Sequence, residues 1–440
     1  MCYLTNLQTI HNIGGSKQSF SPIERENWVQ TTTITGNSTI NQARPPAQTT
    51  SSVPPRNVAV DAYRGLVMLL MMGEVLNFAK VAQAYPGNFF WHILGYNQTH
   101  VEWAGMGLHD MIQPSFTFLV GVALPYSIAS RVRQGQSFRK QLLHTIWRSA
   151  ILIALGIFLR SIVSPQTNFT FEDTLTQIGL GYTFAFLLAR SKPKWQWTAL
   201  GVILSGYWLA WALYPAPGLD FNYAAVGVPS DWHYNFTGFA SHWNKNSNLG
   251  QAFDLWFLNI LPRASRFAYN EGGYLTLSFI PTLGTILLGL RAGEWFRSAA
   301  PKIPIKRFLI VGLILVATAA FFHFTGICPI VKRIWTPSWT LFSGGMCFFF
   351  LAAFSWIVDV KSNRRLAFPL IVVGANSIAA YLIAHLWEDF IISSFHIHLG
   401  MQPFLIFGVG LEPLMLGIAV MLTYWLILYW MYKRKIFLRI

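Results

Sequence analysis

The chain has 440 residues, of which 53% are hydrophobic and only 11% charged, and its mean hydropathy is +0.41. Soluble domains carry about 25% charged residues, so a water-soluble globular class is excluded and a polytopic membrane protein is indicated. The net charge of +15 does not imply a nucleic-acid partner. Lys and Arg fall in short clusters between apolar segments, as the positive-inside rule places them, and the 18 Trp and 16 Tyr suit interfacial belts.

Residues 1–55 are rich in Ser, Thr, Asn, Gln and Pro without an apolar period. They predict a disordered cytoplasmic N-terminal tail, with nothing resembling the apolar core of a signal peptide. Residues 56–440 then form one transmembrane domain. Ten apolar segments are predicted at 58–79, 106–129, 143–163, 173–190, 195–214, 273–293, 307–325, 338–358, 367–388 and 405–431. Each approaches the ~20 residues of a spanning helix. The expected fold is all-α: a polytopic integral membrane helix bundle of about ten transmembrane helices.

Basic clusters follow alternate segments: Arg131, Arg133, Arg139 and Lys140; Arg190, Lys192 and Lys194; Arg291, Arg297, Lys302, Lys306 and Arg307; Lys361, Arg364 and Arg365; Lys433, Arg434, Lys435 and Arg439. These loops and both termini are expected in the cytoplasm. His100, Glu172, Trp335, His396 and the loop 215–272 then lie outside. That loop carries Trp232, His233, Trp243 and Trp256 among Asn and Asp. The mixture suits either carbohydrate stacking or a lid on the membrane surface.

The most informative stretch runs from His100 to Ser127. It opens with a histidine in a polar, aromatic loop and becomes apolar, with Asp110, Gln113 and Pro114 inside the apolar run. Such groups are costly in hydrocarbon and need neighbouring helices or a wet cavity. His100 is an acid–base or nucleophile candidate. Trp103 and Gly105 follow it closely, and Asp110 is spaced to orient a histidine. Asp61 and Arg64, three apart at the start of the first segment, share a helix face and form either a site or a structural ion pair. Glu74, further along that segment, reads either as a proton-handling group or as a carboxyl kept neutral by burial.

Further polar groups recur on the same expected side. They are Gln177 and Tyr182 in the fourth segment, Asn270 and Glu271 before the sixth, and Trp335 and Ser338 at the start of the eighth. In the ninth, Asn376 is followed by Ser377, Tyr381 and His385 at intervals of four. One polar residue is commonly glue between helices, whereas a stripe of three ending in histidine points to a cavity. No Walker, dinucleotide-binding, HExxH or GxSxG motif is present, and Cys2, Cys328 and Cys347 form no metal or disulfide spacing. No metal is therefore expected.

VDAYRG (Val60–Gly65), HVEWAGMGLHDMIQPSFTFLVGVAL (His100–Leu124), Trp335 with Ser338, GANSIAAYLIAH (Gly374–His385) and KRKIFLRI (Lys433–Ile440) resemble the heparan-α-glucosaminide N-acetyltransferase family and its bacterial relatives. The resemblance covers essentially everything after residue 56. It implies a transmembrane acyltransferase in which cytoplasmic acetyl-CoA, as co-substrate, donates its acetyl group to a glucosamine amine on the far side. It places the catalytic histidine at His100 and matches Asp61, Arg64, Asp110, Asn376 and His385 to positions shaping the donor or acceptor pocket. Whether the histidine is acetylated or acts as a base is left open. The chain departs from the family at Leu175–Gln177, where an arginine is missing, and at Glu74, where the family is usually apolar.

The expected catalytic residues are His100 and Asp110. The expected donor- or substrate-binding residues are Asp61, Arg64, Glu74, Trp103, Gln177, Glu271, Trp335, Ser338, Asn376, Ser377, Tyr381 and His385. Acyl-CoA, an amino-sugar or glycan acceptor and the lipid bilayer are the expected partners, with a homodimer left open. The expected location is a bacterial inner or plasma membrane. The rival readings are a proton-coupled transporter for a sugar or sugar acid and a non-catalytic subunit of an envelope polysaccharide system.

Overall fold

The computed structural model describes residues 57–300 and 302–438; the predicted tail at 1–55 lies outside them. The helices are, in chain order, α1 (Val58–Met72), α2 (Phe78–Ala84), α3 (Phe89–Gln98), α4 (Ile112–Arg133), α5 (Phe138–Ser161), α6 (Thr174–Leu188), α7 (Pro193–Leu213) and α8 (Leu249–Phe257). They continue with α9 (Phe279–Ala299), α10 (Ile305–Phe324), α11 (Pro337–Phe354), α12 (Arg364–Ala375), α13 (Ser377–Leu386), α14 (Glu388–Leu399) and α15 (Glu412–Lys433). Among the described residues the only β pairing is an isolated bridge between Ala104 and Val331.

All ten predicted apolar segments fall on helices. Six helices are long and apolar enough to cross a membrane, and two bent pairs raise the number to eight. The bent pairs explain two of the predicted segments. The first segment breaks at Gly73–Asn77, where Asn77 adopts φ 51°, and turns by 40° into α2. The ninth breaks at Asn376, and α13 leaves α12 at 69°. The fourth segment is a shorter apolar helix, α6. The fifth, α7, has 21 residues and buries Gln196, Leu200, Leu204, Tyr207 and Trp211, one stripe at helical spacing that lies along α9.

Helix ends are set locally. The Asn57 side chain accepts from Val60 N at 3.1 Å to start α1. The Asp173 carboxylate accepts from the backbone N–H groups of Leu175 and Thr176 at 2.9 and 3.1 Å to start α6. Thr336 caps α11, with Pro337 in its first turn. Pro114 also falls in a first turn, that of α4, where no helical N–H is needed.

Lipid supplies no hydrophobic drive between helices, so close packing must hold them. One tight seam joins α4 to α9. A Cβ on Gly289 would run into the Phe118 carbonyl, one on Gly293 into the Val122 carbonyl, and one on Gly121 into the Ile286 carbonyl. The main core runs through these helices and α1, α6, α11 and α15. A second core of Trp103, Tyr207, Trp211, Trp243, Leu275, Cys328, Val331 and Ile334 joins three connecting loops to α7. It is this second core that fixes the site.

Candidate functional site

Three loops meet over one end of the bundle. The His100–Leu108 loop is pinned to the 325–336 loop by the Ala104–Val331 bridge and by Gly105 N donating to Ile330 O at 3.1 Å. Arg333 fastens both to the long loop. Its guanidinium donates to Val101 O at 3.2 Å and to Gly272 O at 2.7 Å. Trp103 is fully buried, and its indole N–H donates to Trp243 O at 3.1 Å. Trp335 turns the chain with a left-handed φ of 48°, an unfavourable conformation for a bulky residue. Thr336 holds that turn by donating to Pro329 O at 2.7 Å and accepting from Val331 N at 3.1 Å. The result of this bracing is to hold Lys332 against His100.

Asp110 is the centre of the cluster and is fully buried. Its Oδ2 accepts from Gly107 N at 2.9 Å and Val101 N at 3.3 Å, while Oδ1 lies 2.8 Å from His100 Nδ1 and accepts from Lys332 Nζ at 3.1 Å. A carboxylate held as acceptor by two backbone N–H groups accepts a hydrogen bond from Nδ1–H of His100, the tautomer that leaves the lone pair on Nε2. Lys332 Nζ stands 2.9 Å from His100 Nδ1. The low-dielectric wall and then the Lys332 charge hold the imidazole below its ordinary pKa, against the opposing pull of Asp110. Burial lowers Lys332 in turn, to about 8.

A second pair lies beside the first. His109 is buried, lies tilted against His100 at 4.8 Å between ring centroids, and places Nε2 2.6 Å from Glu74 Oε1. These groups line a cavity of about 340 Å³. Its walls are Met68, Met71 and Glu74 at the end of α1, Ile112, Gln113 and Phe116 at the start of α4, and Arg160 at the end of α5. Glu172, Asp173 and Thr174 before and at the start of α6, Tyr274, Lys332, and Tyr381 with His385 on α13 complete it. All come from one end of the bundle, and the opposite ends of α4 and α5 carry Arg131, Arg133, Arg139 and Lys140. Burial raises the Glu172 carboxyl above its ordinary value. His385 stacks on Tyr381 at 4.2 Å and bonds its carbonyl through Nδ1 at 2.9 Å.

The structure therefore gathers His100, Glu74, Tyr381 and His385 around one cavity, with Asp110 buried behind His100. It places the other expected site residues elsewhere. Gln177 is buried and donates to the carbonyls of Phe171 at 2.6 Å and Thr276 at 3.3 Å. Ser338 donates to Cys328 O at 2.8 Å, and the Trp335 indole N–H donates to Thr285 Oγ1 at 3.3 Å. Asn376 stands at the α12–α13 break and grips the C-terminal segment, donating to Ile436 O at 2.8 Å and accepting from Leu438 N at 3.1 Å. Ser377 begins α13 outside the cavity wall. Glu271 is exposed beside a separate pocket that it lines with Arg263. Asp61 and Arg64 pair at 3.4 Å in the first turns of α1, away from His100. Of the loop tryptophans, Trp243 is core while Trp256 is exposed.

Sequence reasoning missed Lys332, Arg160 and Tyr274, and did not single out His109. A signal for Lys332 was available. A Lys–Arg pair in a loop assigned to the outer side runs against the positive-inside pattern and asks for a local reason. Among the described residues, no group of three His, Cys, Asp or Glu side chains is arranged to hold a metal ion.

Fold and cavity together define a helical membrane protein with a paired histidine–carboxylate site at one end of its bundle. The chain is similar to the human (Homo sapiens) heparan-alpha-glucosaminide N-acetyltransferase, 26% identical over 381 residues, 77% of this chain and 54% of that protein. Its similarity to the mouse (Mus musculus) heparan-alpha-glucosaminide N-acetyltransferase is 25% over 424 residues, 87% of this chain and 60% of that one. The chain thus spans little more than half the length of these relatives, and the family resemblance extends over most of the chain. No family model matches it.

Proposed function

We propose that residues 56–440 form a transmembrane acetyltransferase that moves an acetyl group from cytoplasmic acetyl-CoA to the amine of a glucosamine-type acceptor on the extracytoplasmic side. The observation that carries this reading is the 2.8 Å contact between Nδ1 of His100, which lines the cavity, and Asp110 buried behind it. It leaves Nε2 of a neutral imidazole to take a proton from the attacking nitrogen. The new N–C bond forms as the C–S bond breaks, and His100 returns the proton to the departing CoA thiolate. Asp110 fixes the ring and its tautomer, and the Lys332 ammonium, itself donating to Asp110, keeps the imidazole neutral. The similarity to two N-acetyltransferases supports the same chemistry.

The donor enters from the end bearing the basic clusters. Arg64, partly exposed beside Asp61, is positioned along α1 to meet a CoA phosphate. The loop 215–272 covers the acceptor end. The test is direct: purified protein in detergent, given acetyl-CoA and glucosamine, should release free CoA and form N-acetylglucosamine. Movement of labelled glucosamine into proteoliposomes without CoA, and no transfer, would replace this reading with transport.

A further inference from the structure

One imidazole disposes of one proton, yet an amino-sugar arrives as an ammonium ion and must lose two protons on becoming an amide. The first leaves before attack, because a protonated nitrogen has no lone pair. The second leaves as the N–C bond forms. The wall of the cavity holds a second histidine–carboxylate pair that the step through His100 does not use. His109 Nε2 is 2.6 Å from Glu74 Oε1, and its ring is 4.8 Å from that of His100. The His109 side chain is 5% exposed, whereas that of Glu74 is 59% exposed. The pair therefore runs from the buried reaction centre toward the open cavity.

We infer that Glu74 and His109 form a second acid–base pair that deprotonates the incoming ammonium, and so make the site selective for amine acceptors; this rests on the acetyltransferase reading. The ammonium gives one proton to the Glu74–His109 pair, which passes it to solvent through exposed Glu74. The free amine then attacks the thioester carbonyl and gives its second proton to His100, which hands it to the thiolate. The sum is R–NH₃⁺ plus acetyl-CoA giving R–NH–acetyl, CoASH and one solvent proton. The pair is faced by His100 and Lys332, by Arg160, by Glu172 and Asp173, by His385 and by Glu388 at the start of α14. Of these, Glu172 and Asp173 line the cavity with Glu74, and Arg160 and Lys332 line it with positive charge.

The experiment compares two acceptors: glucosamine, and methoxyamine, whose nitrogen is unprotonated at neutral pH. Glu74→Gln should lose at least about tenfold in kcat/KM for glucosamine near pH 7 and recover as pH rises and the free amine accumulates, while losing under about threefold with methoxyamine. His109→Asn should behave alike. Equal losses with both acceptors, in variants whose thermal stability matches wild type, would show a merely structural pair and overturn the inference. The acetyltransferase reading fails separately, if the wild-type protein acetylates neither acceptor. Should either variant fold poorly, the other still gives the acceptor ratio.

Discussion

His100 is the residue on which the proposed transfer turns, and its environment sets how. Burial and then the Lys332 charge keep it neutral to lower pH than an ordinary histidine, against the opposing pull of Asp110. His100→Ala should leave a folded protein whose melting temperature still rises with CoA, with turnover down at least about 100-fold; retention of a tenth of wild-type transfer would remove His100 from the reaction. Lys332 supplies the second test. Its ammonium disfavours the imidazolium, so Lys332→Met should raise the His100 pKa and move the acid limb of the pH–rate profile upward. Stability carries a matching signature. The folded pKa of Lys332 is about 8 against an ordinary 10.5, so between those values the unfolded chain binds the extra proton. Stability should therefore climb with pH across that window in wild type. A melting curve at each pH should show the climb diminished in Lys332→Met, and an unchanged difference would refute the burial of a charged lysine.

At the scale of elements, hydropathy located the helices but not their breaks. The segments at 58–79 and 367–388 each become two helices, because the turns at Gly73–Asn77 and Asn376 depend on backbone geometry and on partners distant in sequence. The candidate cavity was legible where its members are local. His100 and Asp110 are ten residues apart, and Tyr381 and His385 share one helix face. It was illegible where loops converge. Lys332 is 232 residues from His100, and no local pattern announces the aromatic second core that brings their loops together. Gln177, Trp335 and Ser338 looked like site residues because polar groups near helix ends do so from sequence, whereas they satisfy buried carbonyls and a hydroxyl. The α4–α9 seam yields a prediction of its own. Gly289→Val places a side chain against the Phe118 carbonyl and should sharply reduce monodisperse protein in detergent, while Gly201→Val on α7, with open space around it, should be silent. A well-behaved Gly289→Val protein would show that the seam can part without cost.

For the whole molecule the decisive property is direction across the bilayer. The cavity opens at one end of α1, α4, α5, α6 and α13, and the basic clusters at Arg131–Lys140 occupy the other. A donor made in the cytoplasm and an acceptor outside meet in such a protein only if the basic end faces inward, as the positive-inside rule expects. Cysteine labelling tests this without reference to activity. Cys328 and Cys347 are buried, which leaves them poorly accessible to a bulky reagent. In a Cys2→Ser background, a cysteine at Ser265, in the outer-loop pocket, should react with a membrane-impermeant maleimide on intact cells. One at Gln134, in the exposed turn after α4, should react only once the membrane is opened. The reverse pattern would place His100 and its cavity on the cytoplasmic side. Donor and acceptor would then meet without crossing the bilayer, and the transmembrane transfer proposed for this chain would be wrong even if His100 proved catalytic.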